Sequence, residues 1–150
     1  MSNYNKFMKP DNTFYLISRI KEFSTSFIEK ELRKNNINGI ATSHGSIIYF
    51  LSTKNETSMS DIANEIKKEK STVTTLVGKL EKLGYISLKK SEEDSRSTLV
   101  SLTEKGKDLV PIFGEISLHL FETSKSNISE EEWDIFKNVL IKLQSNLSKK

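Results

Sequence analysis

Between Ser58 and Leu102 the hydrophobic period changes once, and that change limits what this chain can fold into more than any other feature. In SMSDIANEIKKEKSTVTTLVGKLEKLGY, Met59, Ile62, Ala63 and Ile66 share one face of a short helix, with Ser58 and Asp61 suited to cap its start. After KKEK, the residues Val73, Leu76, Val77, Leu80 and Leu83 mark a second, longer helix that Gly84 is placed to end. From Tyr85 the period is two. Tyr85 to Leu88 and Thr98 to Leu102 read as strands, and the charged KKSEEDSRS between them reads as the polar tip of a β-hairpin. Two short helices joined by a tight turn and followed at once by a hairpin predict a winged helix-turn-helix over about residues 58–102.

The flanking segments are helical. Leu16, Ile20, Phe23 and Phe27 recur at three and four between Asp11 and Asn36, with Phe14, Ile17 and Leu32 widening the stripe. NNING, residues 35–39, interrupts the chain before a shorter helix carrying Ile47, Ile48 and Leu51, and Ser52 to Thr57 reads as a polar connection. A long helix opens near Thr103 with the stripe Leu109, Ile112, Phe113, Ile116 and Leu120, and Pro111 inside it predicts a kink or a shifted start. Ser129 with Glu132, flanked by Ile128 and Trp133, predicts a capping box and hydrophobic staple for a last helix. The fold class is therefore mainly α with a small β-hairpin wing, organised as one domain over residues 1–150. Helices at about 11–36 and 103–149 carry broader apolar stripes than one small module covers, so they are expected to form a dimerisation region with a second copy.

Composition removes several function classes. With 150 residues and no cysteine, the chain has room for one core and no thiol chemistry, disulfide or cysteine-ligated zinc. No apolar run is long enough for a membrane span or a signal peptide, which makes the cytoplasm the expected location and a membrane an unexpected partner. No glycine-rich phosphate loop, spaced nucleophile and base, or H-E-x-x-H pattern is present, so neither an enzyme nor a cofactor is expected. His119 has Glu115 and Glu122 at helical spacing, a set too small to hold a metal ion without a further ligand.

A net charge of +3 favours an anionic partner only weakly, so position matters more than the total. Lys70, Ser71, Thr72, Thr74, Thr75 and Lys79 lie away from the apolar stripe of the second helix. Short hydroxyl side chains there can approach base edges and phosphates, and the lysines can neutralise phosphates. Lys89 and Lys90 lead into the wing. Of the 23 basic residues just three are arginine, Arg19, Arg33 and Arg96, and Arg96 stands at the hairpin tip. A planar guanidinium there fits a narrow, electronegative minor groove, and Asp94 two residues earlier is placed to orient it. The competing reading makes EEDSR a solvated turn that keeps the hairpin edge from aggregating. Double-stranded DNA is the expected partner; the alternative is a winged-helix module for protein or RNA contact without specific DNA binding.

STVTTLVGKLEKLGYI, the Asp94-Ser95-Arg96 triplet and VSLTEKGKDL resemble the recognition helix, the D-x-R wing and the start of the following helix in the multiple antibiotic resistance regulator (MarR) family. The resemblance is strong over roughly residues 58–108 and follows element order over nearly the whole chain. It implies a homodimeric transcription regulator, in most members a repressor, on pseudo-palindromic DNA, with a small anionic or aromatic effector that releases DNA from a cleft. Phe14, Arg19, His44, Ile47 and Tyr49 are the candidates to line such a cleft. By the same resemblance Arg96 is the minor-groove arginine, Asp94 its orienting aspartate, and Ser71, Thr72, Thr74 and Thr75 belong to the recognition helix. This chain departs from the family where arginine is common, at Thr75, and where aspartate is common, at Gly78. It also carries Lys67, Lys68 and Glu69 in a turn that commonly holds glycine and a serine or aspartate cap.

Overall fold

The computed structural model describes residues 11–92 and 96–148. Its elements run α1 (Thr13–Lys34), α2 (Thr42–Ser52), β1 (Thr57–Ser58), α3 (Met59–Ile66), α4 (Lys70–Lys82), β2 (Ile86–Lys90), β3 (Thr98–Leu102), α5 (Glu104–Ser124) and α6 (Glu130–Ser148). The chain divides into two compact units, Met1–Ile116 and Ser117–Lys150.

The first unit holds the core. Ile47, Ile48 and Leu51 of α2, Ile62 of α3, Val73, Val77 and Leu80 of α4 and Val100 of β3 are essentially inaccessible and form one cluster with Leu32, Ile86, Leu109 and Ile116. All five residues of the predicted stripe pack α4: Val73, Val77 and Leu80 are buried in the core, and Leu76 and Leu83 are partly buried against it. Gly45 of α2 lies against α5, where a Cβ would stand 2.7 Å from the Phe113 ring.

The cap of α3 is as its sequence predicts: Ser58 Oγ accepts the Asp61 N–H at 3.1 Å and donates to the Asp61 carboxylate at 2.7 Å. Hydrogen bonds from the Ser58 hydroxyl and then the Ser58 backbone N–H hold the Asp61 carboxyl below its ordinary pKa. The α3–α4 turn is less comfortable. Lys67 ends α3 in the left-handed region (φ 51°, ψ 51°), and its N–H donates to the Ala63 carbonyl. A lysine there costs on the order of 1 kcal/mol that glycine would not.

The sheet has three strands in the order β1-β3-β2, all antiparallel. β2 extends to Lys90 rather than stopping at Leu88, with Lys89 opposite Leu99 and Lys90 opposite Thr98. β1 is a correction to the polar connection expected before α3: Thr57 and Ser58 pair with Val100 and Leu99. Two residues are too few to carry an alternation, so nothing in the sequence announces this strand.

In the second unit, Ser117–Ser124 of α5 precedes α6. The predicted capping box is present: Ser129 N–H donates to Glu132 Oε2 at 2.9 Å while the Glu132 N–H donates to Ser129 Oγ at 3.2 Å. The Ser129 N–H, and then the Ser129 hydroxyl donating to the same Oε2, lower the Glu132 pKa. Trp133 packs edge-on to Phe121, with ring centroids 5.7 Å apart, and lies 5.9 Å from Phe136. None of the α6 residues is buried. α5 starts at Glu104, with no shift of its start, and continues through Pro111 as one helix.

Candidate nucleic-acid interface

α4 presents two faces. Val73, Val77 and Leu80 point into the core, and Ser71, Thr75, Gly78 and Lys82 follow one another at i, i+4, i+7 and i+11 on the opposite side, all exposed. Lys70, Thr72, Thr74 and Lys79 flank that ridge and are also exposed. Lys82 was absent from the residues singled out by sequence, although the same helical spacing that picked Thr75 reaches it.

Two of the threonines are held by the helix itself. Thr74 Oγ1 donates to the Lys70 carbonyl at 2.9 Å and Thr75 Oγ1 to the Ser71 carbonyl at 3.1 Å. Gly78 leaves open space where a side chain would be, with no atom within 4 Å of a Cβ built there. A DNA groove wall can therefore come close to the helix backbone at this turn. Glu69, at the N-cap of α4, makes no side-chain capping bond, and the leading N–H groups of the helix are left to an outside acceptor such as a phosphate.

Lys79 does not simply point outward. Its Cε lies 3.7 Å from the place a Cβ would occupy on Gly39, in the α1–α2 connection, where the backbone is left-handed at φ 78°. Its charge also acts on His44.

The wing lies directly after α4 in the chain, and residues 87–90 of its first strand are exposed while Val100 of its return strand is buried. Ser91 N–H donates to the Ser97 carbonyl at 2.9 Å, extending the ladder beyond Lys90 and Thr98. Arg96 is exposed and immediately precedes that closing bond. Lys89 is paired with Glu92 at 3.2 Å with both side chains exposed, a contact weak enough for a phosphate to displace. Lys90 is exposed as well. Asp94, expected to orient Arg96, lies outside the described residues.

α5 is fastened where the hairpin returns. Thr103 N–H donates to the Tyr85 carbonyl at 3.1 Å, Thr103 Oγ1 donates to the Gly84 carbonyl at 2.7 Å, and Lys105 Nζ donates to the Leu83 carbonyl at 2.8 Å. The C-terminal end of α4 and the root of the wing are thereby tied to one another through the first turn of α5.

Among the cleft candidates, Phe14 and Tyr49 are exposed, and Arg19 pairs with Glu22 at 2.6 Å while stacking 4.4 Å over Phe23. Ile47 is a correction: it is wholly buried in the core and lines nothing accessible. His44 is also interior, 4% exposed. Its Nδ1 accepts the Ala41 N–H at 3.0 Å at the start of α2, so the hydrogen of the neutral ring is on Nε2, which has no hydrogen-bond partner among the described residues.

Burial, and secondarily the Lys79 charge, holds the His44 pKa below its ordinary value. As pH falls below about 6.5, the unfolded chain protonates this histidine before the folded chain does, and stability drops. The loss continues until pH passes the lower folded-state value, at no more than about 1.4 kcal/mol per pH unit for one proton. Urea unfolding midpoints should therefore fall between about pH 7.5 and about pH 5.5, and His44→Gln should remove that part of the slope. Parallel pH profiles for the two proteins would rule His44 out as the cause.

Among the described residues no cluster of histidine and carboxylates could hold a metal ion, and no helix is long and apolar enough to cross a membrane.

A helix with an outward row of small hydroxyls and lysines, followed by an exposed basic hairpin on a helical core, defines a winged-helix DNA-binding transcription regulator. Residues 41–106 match the winged helix DNA-binding domain family, a span that runs from the N-cap of α2 to the first turn of α5. The chain belongs to the MarR family. It is 30% identical over 100 residues to the HTH-type transcriptional regulator SarZ of Staphylococcus haemolyticus, covering 67% of each protein. Its fold is similar to that of S. aureus MepR in a complex with DNA, at 26% identity and a TM-score of 0.80 over 88% of this chain and 96% of that one. It is likewise similar to a MarR transcriptional regulator from Methanosarcina mazei, at 24% identity and a TM-score of 0.75 over 92% and 98% of the two chains.

Proposed function

We propose that this protein represses transcription by binding a pseudo-palindromic operator as a homodimer. Each copy lays α4 in a major groove and rests its wing on the neighbouring minor groove. The observation that carries this reading is the pairing of the outward face of α4 with an exposed hairpin bearing Lys89, Lys90 and Arg96. In it, Lys70, Lys79, Lys89 and Lys90 contact phosphates, Ser71, Thr72, Thr74 and Thr75 face base edges, and Arg96, oriented by Asp94, enters the minor groove.

The dimer is supported by apolar side chains left in water. Phe14, Leu16, Ile20 and Phe23 of α1, and Ile135, Val139 and Ile141 of α6, are each about half exposed or more. A chain left alone would expose apolar surface on a scale that marks association. A second copy covers it and supplies the second recognition helix that a two-fold operator requires. The family resemblance adds release by a small effector, which would raise the melting temperature and lower operator binding together.

Selection of bound duplexes from a random pool tests the reading. The expected product is a pair of inverted half-sites spaced by about one helical turn, roughly 10 base pairs, with affinity that falls linearly in log salt. Recovery of unrelated sequences, or affinity indifferent to salt, would overturn it.

A further inference from the structure

We propose that Thr74 and Thr75 read A·T base pairs through their methyl groups and acceptor oxygens, so that each half-site carries thymine beneath the middle of α4. The inference rests on the reading that α4 enters the major groove, and it concerns which bases that helix accepts.

A threonine hydroxyl has a single hydrogen. In both residues that hydrogen is committed to the carbonyl four positions back, at 2.9 Å for Thr74 and 3.1 Å for Thr75. What each side chain offers outward is an oxygen that can only accept, beside a methyl group whose direction is fixed because the bond fixes χ1. Both residues are exposed, Thr75 on the side of α4 away from Val73, Val77 and Leu80 and Thr74 flanking that ridge. Gly78, one turn further on, has no side chain to hold a base edge at a distance.

The major-groove edges of the four pairs do not suit this surface equally. Guanine presents two acceptors, N7 and O6, and meets an oxygen with no hydrogen to give. Cytosine presents an amino donor but no methyl group. An A·T pair presents the adenine N6 amino group, which an acceptor oxygen satisfies, and the thymine 5-methyl group, which packs against a threonine methyl. Only that pair matches both features.

Uracil differs from thymine by the 5-methyl group alone, which makes it the probe. Once the operator is selected, each thymine of a half-site is replaced in turn by deoxyuridine and binding is measured at fixed salt. At least one replacement should weaken the unmodified protein by roughly three- to tenfold, the scale of one lost methyl contact. Thr74→Ser with Thr75→Ser keeps both hydroxyls and removes both methyls, and that protein should bind the thymine and uracil operators alike. Thr74→Val with Thr75→Val keeps the methyls and should retain the uracil penalty. A penalty absent at every thymine, or one that persists in the serine variant, would overturn this assignment while leaving DNA binding intact. A pool that yields no bound sequence would instead overturn the DNA reading on which it rests.

Discussion

Replacing Gly106 with alanine is expected to lower unfolding free energy by about 3 kcal/mol, the upper end for an overpacked site, and the melting temperature by roughly 10 °C. A Cβ at this position would stand 1.9 Å from the Tyr85 carbonyl oxygen and 3.1 Å from Leu102 Cδ2. The obstacle is backbone, and no rotamer change relieves it. Tyr85 is held in place by the bond from Thr103 N–H, while Gly106 N–H donates to Thr103 Oγ1 at 3.1 Å, so neither side can move without breaking the junction. Gly78→Ala is the matched control: its Cβ meets nothing within 4 Å, and alanine in a helix interior should raise stability by roughly 0.5–1 kcal/mol. Thermal unfolding at one protein concentration compares the two. A Gly106→Ala protein as stable as Gly78→Ala would mean that α5 does not seat on the wing root as described.

The same residues show where sequence is informative and where it stops. The α3–α4 pair and the hairpin were legible because their period is repeated: Val73, Val77 and Leu80 state a helix face, and the residues from Thr98 to Leu102 state a strand. Caps were legible because serine followed by an acid at N3 has few other uses, as Ser58 and Ser129 illustrate. β1 was not, since its partners Val100 and Leu99 are far along the chain and two residues have no pattern. His44 reads as a cleft residue from its place near the start of the second helix, yet it is interior here. The small hydroxyl face of α4 was plain from spacing, whereas the commitment of the Thr74 and Thr75 hydrogens was not. It depends on carbonyls four residues earlier, which no side-chain pattern encodes. Lys79 shows the same limit: its lean toward Gly39 follows from where the left-handed turn at that glycine places the α1–α2 connection.

Arg96→Ala should weaken operator binding by roughly 1–3 kcal/mol, or about five- to 150-fold, and leave fold and association unchanged. The residue is exposed and lies outside the core, so its loss leaves the core packing in place. The hairpin beneath it is held by five strand pairs and by the Ser91 to Ser97 bond, which closes one residue after the arginine. Arg96→Lys separates the two ways an arginine could act there. If it supplied only charge to a phosphate, lysine would restore nearly all the affinity, and the alanine variant would show a salt slope shallower by about one unit. If it enters a narrow minor groove, the compact, strongly hydrated ammonium is a poor substitute for the guanidinium plane, and lysine should recover only a minor part of the loss. The minor-groove assignment also predicts dependence on groove width. Replacing A·T pairs beneath the wing with G·C pairs should weaken the unmodified protein and have little further effect on Arg96→Ala. Equal penalties in both proteins would place the sequence preference elsewhere in the interface and leave Arg96 a phosphate contact.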